Sequence, residues 1–483
     1  MLTPGAATVK LPGMKTLHRS GNDACRYACV LIFACAYAGA GCATRVDPRA
    51  DFDELSDRVR DTTGAEFIPE PTETELGPAA LAAQLADGLT RAESVRLMLL
   101  YNPQARSALW SLGVARADVV QSRLWKNPEL SFAVRIPDGG GLLGFDAELL
   151  QNILDFWRLP RRVRAAEAEM EVVFADAVRE IVAIVFALEA RYLDALGART
   201  EHEFARLEAA AAAQLLEISR DRRVAGAATD LQLALAATRV AEAALAERRA
   251  ALEVDAAMTQ LVLLTGAEID PTGIELASDW PTAPLASQAW PSSEEIMRVA
   301  IDARLELKAS AAALAAAKLR VESEAAQRWP LLDAGVSIER EPRPTGERTE
   351  LAIGPAVQMQ LPIFDQNQAQ IARAEFVLER AQAQHTGLET RVRIEATHAL
   401  RRAQASCDSF RLAESELLIA HDRVTRLVRE AYAAGAVSII DTIRAEDEQR
   451  RARRAVLEAR KSMALALLEL ERATGRPLAG RPE

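Results

Sequence analysis

Two short stretches constrain this chain most: Arg223-Val224-Ala225-Gly226-Ala227-Ala228-Thr229-Asp230-Leu231 and Tyr432-Ala433-Ala434-Gly435-Ala436-Val437-Ser438-Ile439-Ile440. Each follows a long charged, Ala-rich segment. Each leads into another such segment that ends in Thr-Gly, at Thr265-Gly266 and Thr474-Gly475. The distance from Gly226 to Gly266 equals that from Gly435 to Gly475, so the chain reads as built twice.

The long segments can only be helices. Arg161 to Arg223 contains no proline and one glycine, Gly197. As a helix it would run roughly 90 Å at 1.5 Å per residue, too long for the core of a compact domain. It must lie in a bundle, a coiled coil or a helical tube. Val178, Val182, Val185, Leu188, Tyr192 and Leu196 recur on one face at spacings of three and four. Leu231 to Leu264 then returns antiparallel. Ile371 to Glu430 and Ile439 to Ala473 repeat the plan. Aromatics make up only 5% of the chain while the apolar fraction is 49%, so Ala and Leu supply much of that fraction. Ala is the best helix former and lets helices pack closely.

Between the helices the period changes. In 128–137, Leu130, Phe132 and Val134 alternate with Ser131, Ala133 and Arg135, a strand signal. Asp138-Gly139-Gly140-Gly141 reads as a turn. Leu143 to Leu159 reads as a return strand with some helical character, ended by Pro160. In the second half, Leu331 to Arg340 alternates in part and Pro342 to Arg348 is a polar turn. Leu351, Ile353, Val357, Met359 and Leu361 share one parity. Leu361-Pro362 echoes Leu159-Pro160. Two strands per half make too small a sheet to stand alone beside such helices. Pooled from several copies they could close a barrel, one of the two structures that satisfy the backbone inside a membrane. The weak alternation fits an outer-membrane barrel.

The remaining segments frame this plan. Residues 1–41 read as an export signal, with Lys15, Arg19 and Arg26 before the apolar stretch Tyr27 to Ala40; Met14 is a candidate start. Gly39-Ala40-Gly41-Cys42 resembles a bacterial lipobox, although Gly39 stands where that pattern prefers Leu. The resemblance implies cleavage and lipidation at Cys42; the alternative is an ordinary export signal with an incidental cysteine. Residues 42–84 are an acidic, Pro-containing arm, of which Val46 to Pro78 reads as extended or loosely ordered. Leu81, Leu85 and Leu89 then open a helix, Asn102-Pro103 divides it from the next (105–124), and residues 85–266 form the first repeat with its hairpin near 128–159. A Pro-rich connector spans 267–293. Residues 294–475 form the second repeat, with an unbroken helix from Ser293 to Arg328 and a hairpin near 330–361. Residues 476–483 are a tail.

The chemistry is sparse. No nucleophile–base pair stands out. The five histidines form no compact metal motif, and His202, His385, His398 and His421 read as helix residues. Cys407 reads as a packing residue. A net charge of -11 gives no support to a nucleic-acid partner. No cofactor and no catalytic residue are expected.

The duplicated order is similar to that of the TolC-like outer-membrane efflux factors. The resemblance covers roughly residues 85 to 475. Its best local match is Gln360-Leu361-Pro362-Ile363-Phe364-Asp365-Gln366-Asn367, followed by Ala369, Ile371 and Ala374. Asn127-Pro128-Glu129-Leu130 resembles the start of the family's first barrel strand. The resemblance implies a homotrimer whose twelve-stranded β-barrel in the outer membrane is continued by a periplasmic α-helical barrel. It also implies docking to a periplasmic adaptor joined to an inner-membrane pump. Arg223, Gly226, Ala227 and Thr229, with Tyr432, Gly435, Ala436 and Ser438, are then the candidate docking tips. Asp230, Arg239, Asp441, Arg444 and Asp447, the charges just past the turns, are gate candidates. The alternative function is a periplasmic coiled-coil scaffold or adaptor without a pore.

Overall fold

The structure is a computed structural model that describes residues 46–65, 67, 88–136, 143–277, 280–281, 290–341 and 350–476. The signal residues, Cys42, both hairpin turns and most of the tail lie outside them. Everything below concerns the unit Asp47–Glu483.

The elements follow the duplication. The first half holds α1 (Arg49–Thr63), α2 (Arg91–Tyr101), α3 (Pro103–Arg123), β1 (Glu129–Arg135), β2 (Gly144–Asn152), α4 (Asp155–Val224) and α5 (Asp230–Thr265). The second holds α6 (Ser293–Ala303), α7 (Leu305–Ala326), β3 (Leu332–Arg340), β4 (Leu351–Met359), α8 (Gln368–Leu412), α9 (Ile419–Ala433) and α10 (Ile439–Thr474). The π-helical segment Ala413–Leu418 joins α8 to α9. With its 70 residues, α4 spans about 105 Å.

The reading of the arm needs correction. Its stretch Arg49–Thr63 is helical and buries Phe52, Leu55 and Val59, three positions on one face. They join the core of the first half beside Leu109, Leu112, Ile181 and Leu188. Asp51 receives two hydrogen bonds from the Arg116 guanidinium, one of them 2.6 Å long. Of the acidic residues in this helix, Asp53, Glu54, Asp57 and Asp61 face solvent, while Asp51 is buried against Arg116. Leu89 is not helical either. It forms an isolated parallel bridge with Leu276, and the Tyr192 hydroxyl donates to the carbonyl oxygens of Leu89 (3.0 Å) and Ala277 (2.8 Å). A capping box between Thr90 and Glu93 starts α2 instead.

Two boundaries also moved. Pro160 does not end an element; α4 begins at Asp155, and Pro160 lies inside it just past the first turn, where it removes one i→i−4 hydrogen bond. The helix expected from Ser293 to Arg328 breaks at Arg304 into α6 and α7.

That break explains the Thr-Gly endings. Gly266 and Gly475 close α5 and α10 in the left-handed conformation, with φ of 73° and 68°. Each lies against a joint between two helices. A Cβ on Gly266 would come within 2.7 Å of Asn102 Cα, and one on Gly475 within 3.0 Å of the Ala303 carbonyl carbon. Asn102 fastens its joint by accepting from the amides of Gln104 and Ala105 and donating to the Leu264 carbonyl at 2.7 Å. At the corresponding joint the buried Arg304 donates to Glu306 at 3.0 and 3.1 Å and to Glu395 at 2.9 Å. The backbone plan is repeated, while its fasteners differ.

Glycine substitutions will separate close approach from turn chemistry. Gly226→Ala has open space and should cost only the left-handed penalty of about 1–2 kcal/mol. Gly266→Ala meets the Tyr101–Asn102 backbone and should lower the melting temperature much further. Equal losses in thermal unfolding would refute this placement.

Candidate functional site

The four strands form one antiparallel sheet in the order β1-β2-β3-β4. Its register sorts the side chains onto two faces, because directly paired residues share a side. Leu130 pairs with Leu149 and that with Val336; Phe132 pairs with Ala147 and that with Ile338; Ile353 pairs with Ile338 and Val357 with Ala334. This face is apolar and open: Phe132 is 66% and Val357 70% exposed. Phe132 stacks on Phe145 at 6.3 Å. The opposite face carries Glu129, Asp146, Glu148, Asp333 and Glu339 against Arg135, which pairs with Asp146 at 2.5 Å. In β4 that face is small, with Ala352, Gly354 and Ala356. The acidic residues that blurred the reading of 143–159 therefore have a simple place. Asp146, Glu148 and Asn152 share the polar face, and Asp155 starts α4.

At the base of the sheet the chain passes into the helices. The Asn152 amide donates to Asp333 and its oxygen accepts from the Asp155 amide, both at 2.8 Å. Buried Asp155 takes a 2.9 Å bond from Arg162, which also donates to the carbonyls of Ser122 and Leu124. On the second side Asn367, left-handed at φ 60°, starts α8 and donates to the Glu324 backbone and carboxylate at 2.9 Å each. This explains the Asp365-Gln366-Asn367 stretch singled out in the sequence.

Further along, α4 and α10 run antiparallel and are joined by ion pairs at seven-residue spacing on α4. Asp194 meets Lys461 at 2.9 Å, Glu201 meets Arg454 at 2.6 Å, and Glu208 faces Arg450 at 3.8 Å. Seven residues make two helical turns, so one stripe of α4 faces α10 throughout. Burial pushes the Glu208 carboxyl upward, against the opposing pull of Arg450, Arg454 and Arg239.

The tips lie beyond this ladder. Gly226 and Gly435 turn with φ of 72° and 77° and have nothing near an added Cβ. Thr229 and Ser438 cap α5 and α10 through capping boxes with Gln232 and Asp441. Hydrogen bonds from Ser438 lower the Asp441 carboxyl. Arg223 binds Asp230 at 2.7 Å across the first turn, lowering the Asp230 carboxyl. Ala227, Ala436 and Arg444 are exposed.

Tyr432 departs from the expected open tip. It is buried, packing with Leu215, Ala236 and Ile439 and so joining the two tips. Arg222 lies over its ring at 4.5 Å and donates to its carbonyl at 3.2 Å. Two gate candidates are likewise engaged. Arg239 is buried and meets Asp447 at 3.0 Å, and Asp447 also accepts from Arg450. The sequence reading missed Arg222, and also Val224 (91% exposed) and Leu231 (66%). An apolar residue on either side of a turn glycine was the available signal. Among the described residues no His, Cys, Asp and Glu cluster could hold a metal ion. No described helix is long and apolar enough to cross a membrane.

Residues 296–476 match the family model "Outer membrane efflux protein". The match falls on the second repeat. Over most of its length the chain has the fold of solved outer-membrane proteins. A membrane protein from Pseudomonas aeruginosa superposes with a TM-score of 0.65 at 19% identity, over 80% of this chain and 93% of the other. CusC, whose structures concern transmembrane channel formation, gives 0.65 at 17%, over 80% and 92%. The outer membrane protein VceC from Vibrio cholerae gives 0.64 at 18%, over 82% and 97%. No curated protein is similar enough in sequence to count as a relative. The TolC-type arrangement is thus present: a duplicated protomer with a short sheet continued by long helices.

The raised Glu208 carboxyl gives a signed prediction. It holds its proton more readily folded than unfolded, so its contribution to stability is fully present below the ordinary glutamate value and is lost as pH rises through the raised one. Glu208→Gln should therefore gain in melting temperature relative to the natural chain as pH rises through that window. A pH-independent difference would refute the assignment.

Proposed function

We propose that this chain is the outer-membrane channel of a tripartite efflux system, passively conducting solute handed over by a periplasmic adaptor and an energised inner-membrane pump. One observation carries the reading. The sheet is apolar on one face and charged on the other, and its outer strands β1 and β4 have no strand partner beyond the sheet among the described residues. A bilayer tolerates a sheet only when it is closed, apolar outside and polar within. Three copies of four strands supply the twelve-stranded barrel of the family resemblance. The long hairpins then continue the wall into the periplasm.

In this reading Cys42 is lipidated and anchors the chain to the outer membrane. The tips around Gly226 and Gly435 meet the adaptor, with exposed Val224, Ala227 and Ala436 offering small or apolar contact. Asp230, Arg239, Asp441, Arg444 and Asp447 are gate residues, of which Arg239 and Asp447 act through their mutual ion pair: the pair must part before the two hairpins can separate. A coiled-coil scaffold without a pore would not need an exposed apolar sheet face.

Three measurements test the reading. The purified chain should form ion-conducting pores in planar bilayers, and Phe132→Asp with Ile353→Asp should abolish insertion while leaving the helical signal in circular dichroism. Pores formed equally well by the double variant would overturn the barrel. With the acidic face inward, the pores should prefer cations, and Asp146→Asn with Glu148→Gln should reduce that preference in reversal-potential measurements. For the tips, Ala227→Trp should weaken adaptor binding at least about tenfold, a change of about 1.4 kcal/mol, without changing the melting temperature. Unaltered binding would move the docking site elsewhere.

A further inference from the structure

The base of the sheet carries a feature that a channel wall alone does not require. Trp125, Phe156, Trp157 and Trp329 are all exposed there, Phe156 by 70%. They form two pairs: Trp125 lies 6.3 Å from Phe156, and Trp157 meets Trp329 edge-on at 6.4 Å. Exposed aromatics just where an apolar strand face ends mark the headgroup level of a bilayer.

Two arginines are built into this collar. The Arg161 guanidinium lies 4.0 Å over the Trp157 ring and donates to the Trp157 carbonyl at 3.1 Å. Arg158 reaches from the first repeat to the second, donating to the carbonyls of Trp329 and Pro330. Its Nε is buried and has no acceptor. Three residues apart on α4, the two guanidiniums are neighbours on the helix surface. Neither has a carboxylate within ion-pair distance among the described residues, whereas the next residue, Arg162, is paired with Asp155. Arg158 and Arg161 thus sit among aromatic rings with neutral carbonyl acceptors.

We propose that Arg158 and Arg161 bind the phosphodiester of an anionic phospholipid, held beside the Trp157–Trp329 pair at the periplasmic boundary of the barrel. Guanidinium forks suit phosphate oxygens, and the rings shield the contact from water. Both repeats build this lipid site, because Trp329 supplies a ring and the carbonyl that positions Arg158. The assignment rests on the membrane placement proposed above.

The test reconstitutes the full chain in phosphatidylcholine vesicles with or without phosphatidylglycerol and follows thermal unfolding. Phosphatidylglycerol should raise the melting temperature of the natural chain. Arg161→Gln should lose at least about half of that rise, and Arg158→Gln with Arg161→Gln nearly all of it. Arg426→Gln, which removes the same charge from the exposed face of α9, should keep the full rise. Inorganic phosphate added to phosphatidylcholine vesicles should give none. A full rise in Arg161→Gln, an equal loss in Arg426→Gln, or a rise produced by inorganic phosphate would each overturn the lipid site. The single variant keeps Arg158 and its carbonyl bonds, so the test survives a double variant that fails to fold. Conductance of the same preparations separates the two readings: pores indifferent to phosphatidylglycerol sink only the lipid site, while a chain that neither inserts nor conducts sinks both.

Discussion

An unpaired strand edge cannot sit in hydrocarbon. β1 and β4 are the outer strands of this sheet, and in a bilayer each of their outward N–H and C=O groups would cost several kcal/mol. The protomer by itself is therefore an unfinished object. Its apolar face, led by Phe132, Ile353 and Val357, has no cover among the described residues, and its strands are too few to curl shut. Closure with further copies removes both defects in one step. The rest of the protomer can be seen as what holds four strands ready for it. Asn152 bridges β2 to β3 through Asp333, Arg158 ties the start of α4 to the turn before β3, and Asn367 ties the start of α8 to the end of α7.

The helices meet a different constraint. They are too long to bury a shared core along their whole length, so specificity must be spread along a stripe. Midway along, the buried positions are apolar, with Ile181, Leu188 and Tyr192 in the first half and Val392, Leu400 and Phe410 in the second. Beyond them ion pairs join α4 to α10, Asp194, Glu201 and Glu208 against Lys461, Arg454 and Arg450, and an apolar cluster of Leu215, Ala236, Tyr432 and Ile439 closes the tips. Ion pairs fix register without the strength of apolar burial, and partly exposed ones contribute little to stability. The two halves are thus held by apolar cores at mid-length, by an ionic ladder beyond them and by one small apolar cluster at the tips.

Much of this was legible in the sequence, because the signals were periodic. The strand parity at Leu130–Val134 and Leu351–Met359, the long proline-free helices and the two glycine turns all appear where pattern placed them. What escaped has a common cause: local signals outweighed by tertiary contacts. Arg49–Thr63 looked like a loose acidic arm because its core face is only Phe52, Leu55 and Val59. Pro160 looked like a stop because the strand before it was read too long. Arg304 gave no sign of a break, because an arginine between two Ala-rich segments is an ordinary helix residue until Glu306 and Glu395 claim its guanidinium. At the tips the turns were evident, but the burial of Tyr432 depends on α4 and α5 packing against it, which no local pattern encodes.

The duplication is a duplication of backbone more than of chemistry. Asn102 and Arg304 occupy the same joint, one fastening it by capping and the other through two carboxylates. The first tip is cross-braced by Arg223 and Asp230 and exposes Val224 and Leu231; the second buries Tyr432 and leaves Arg444 open. A closed ring of three protomers would therefore present six tips of two alternating kinds. A partner that contacts such a ring can distinguish one kind from the other, so it can dock in three equivalent orientations and be excluded from the intervening ones. Identical repeats would lose that distinction. If the tips dock an adaptor as proposed, divergence there, with the helical scaffold kept, would let a twice-built chain specify a threefold docking end.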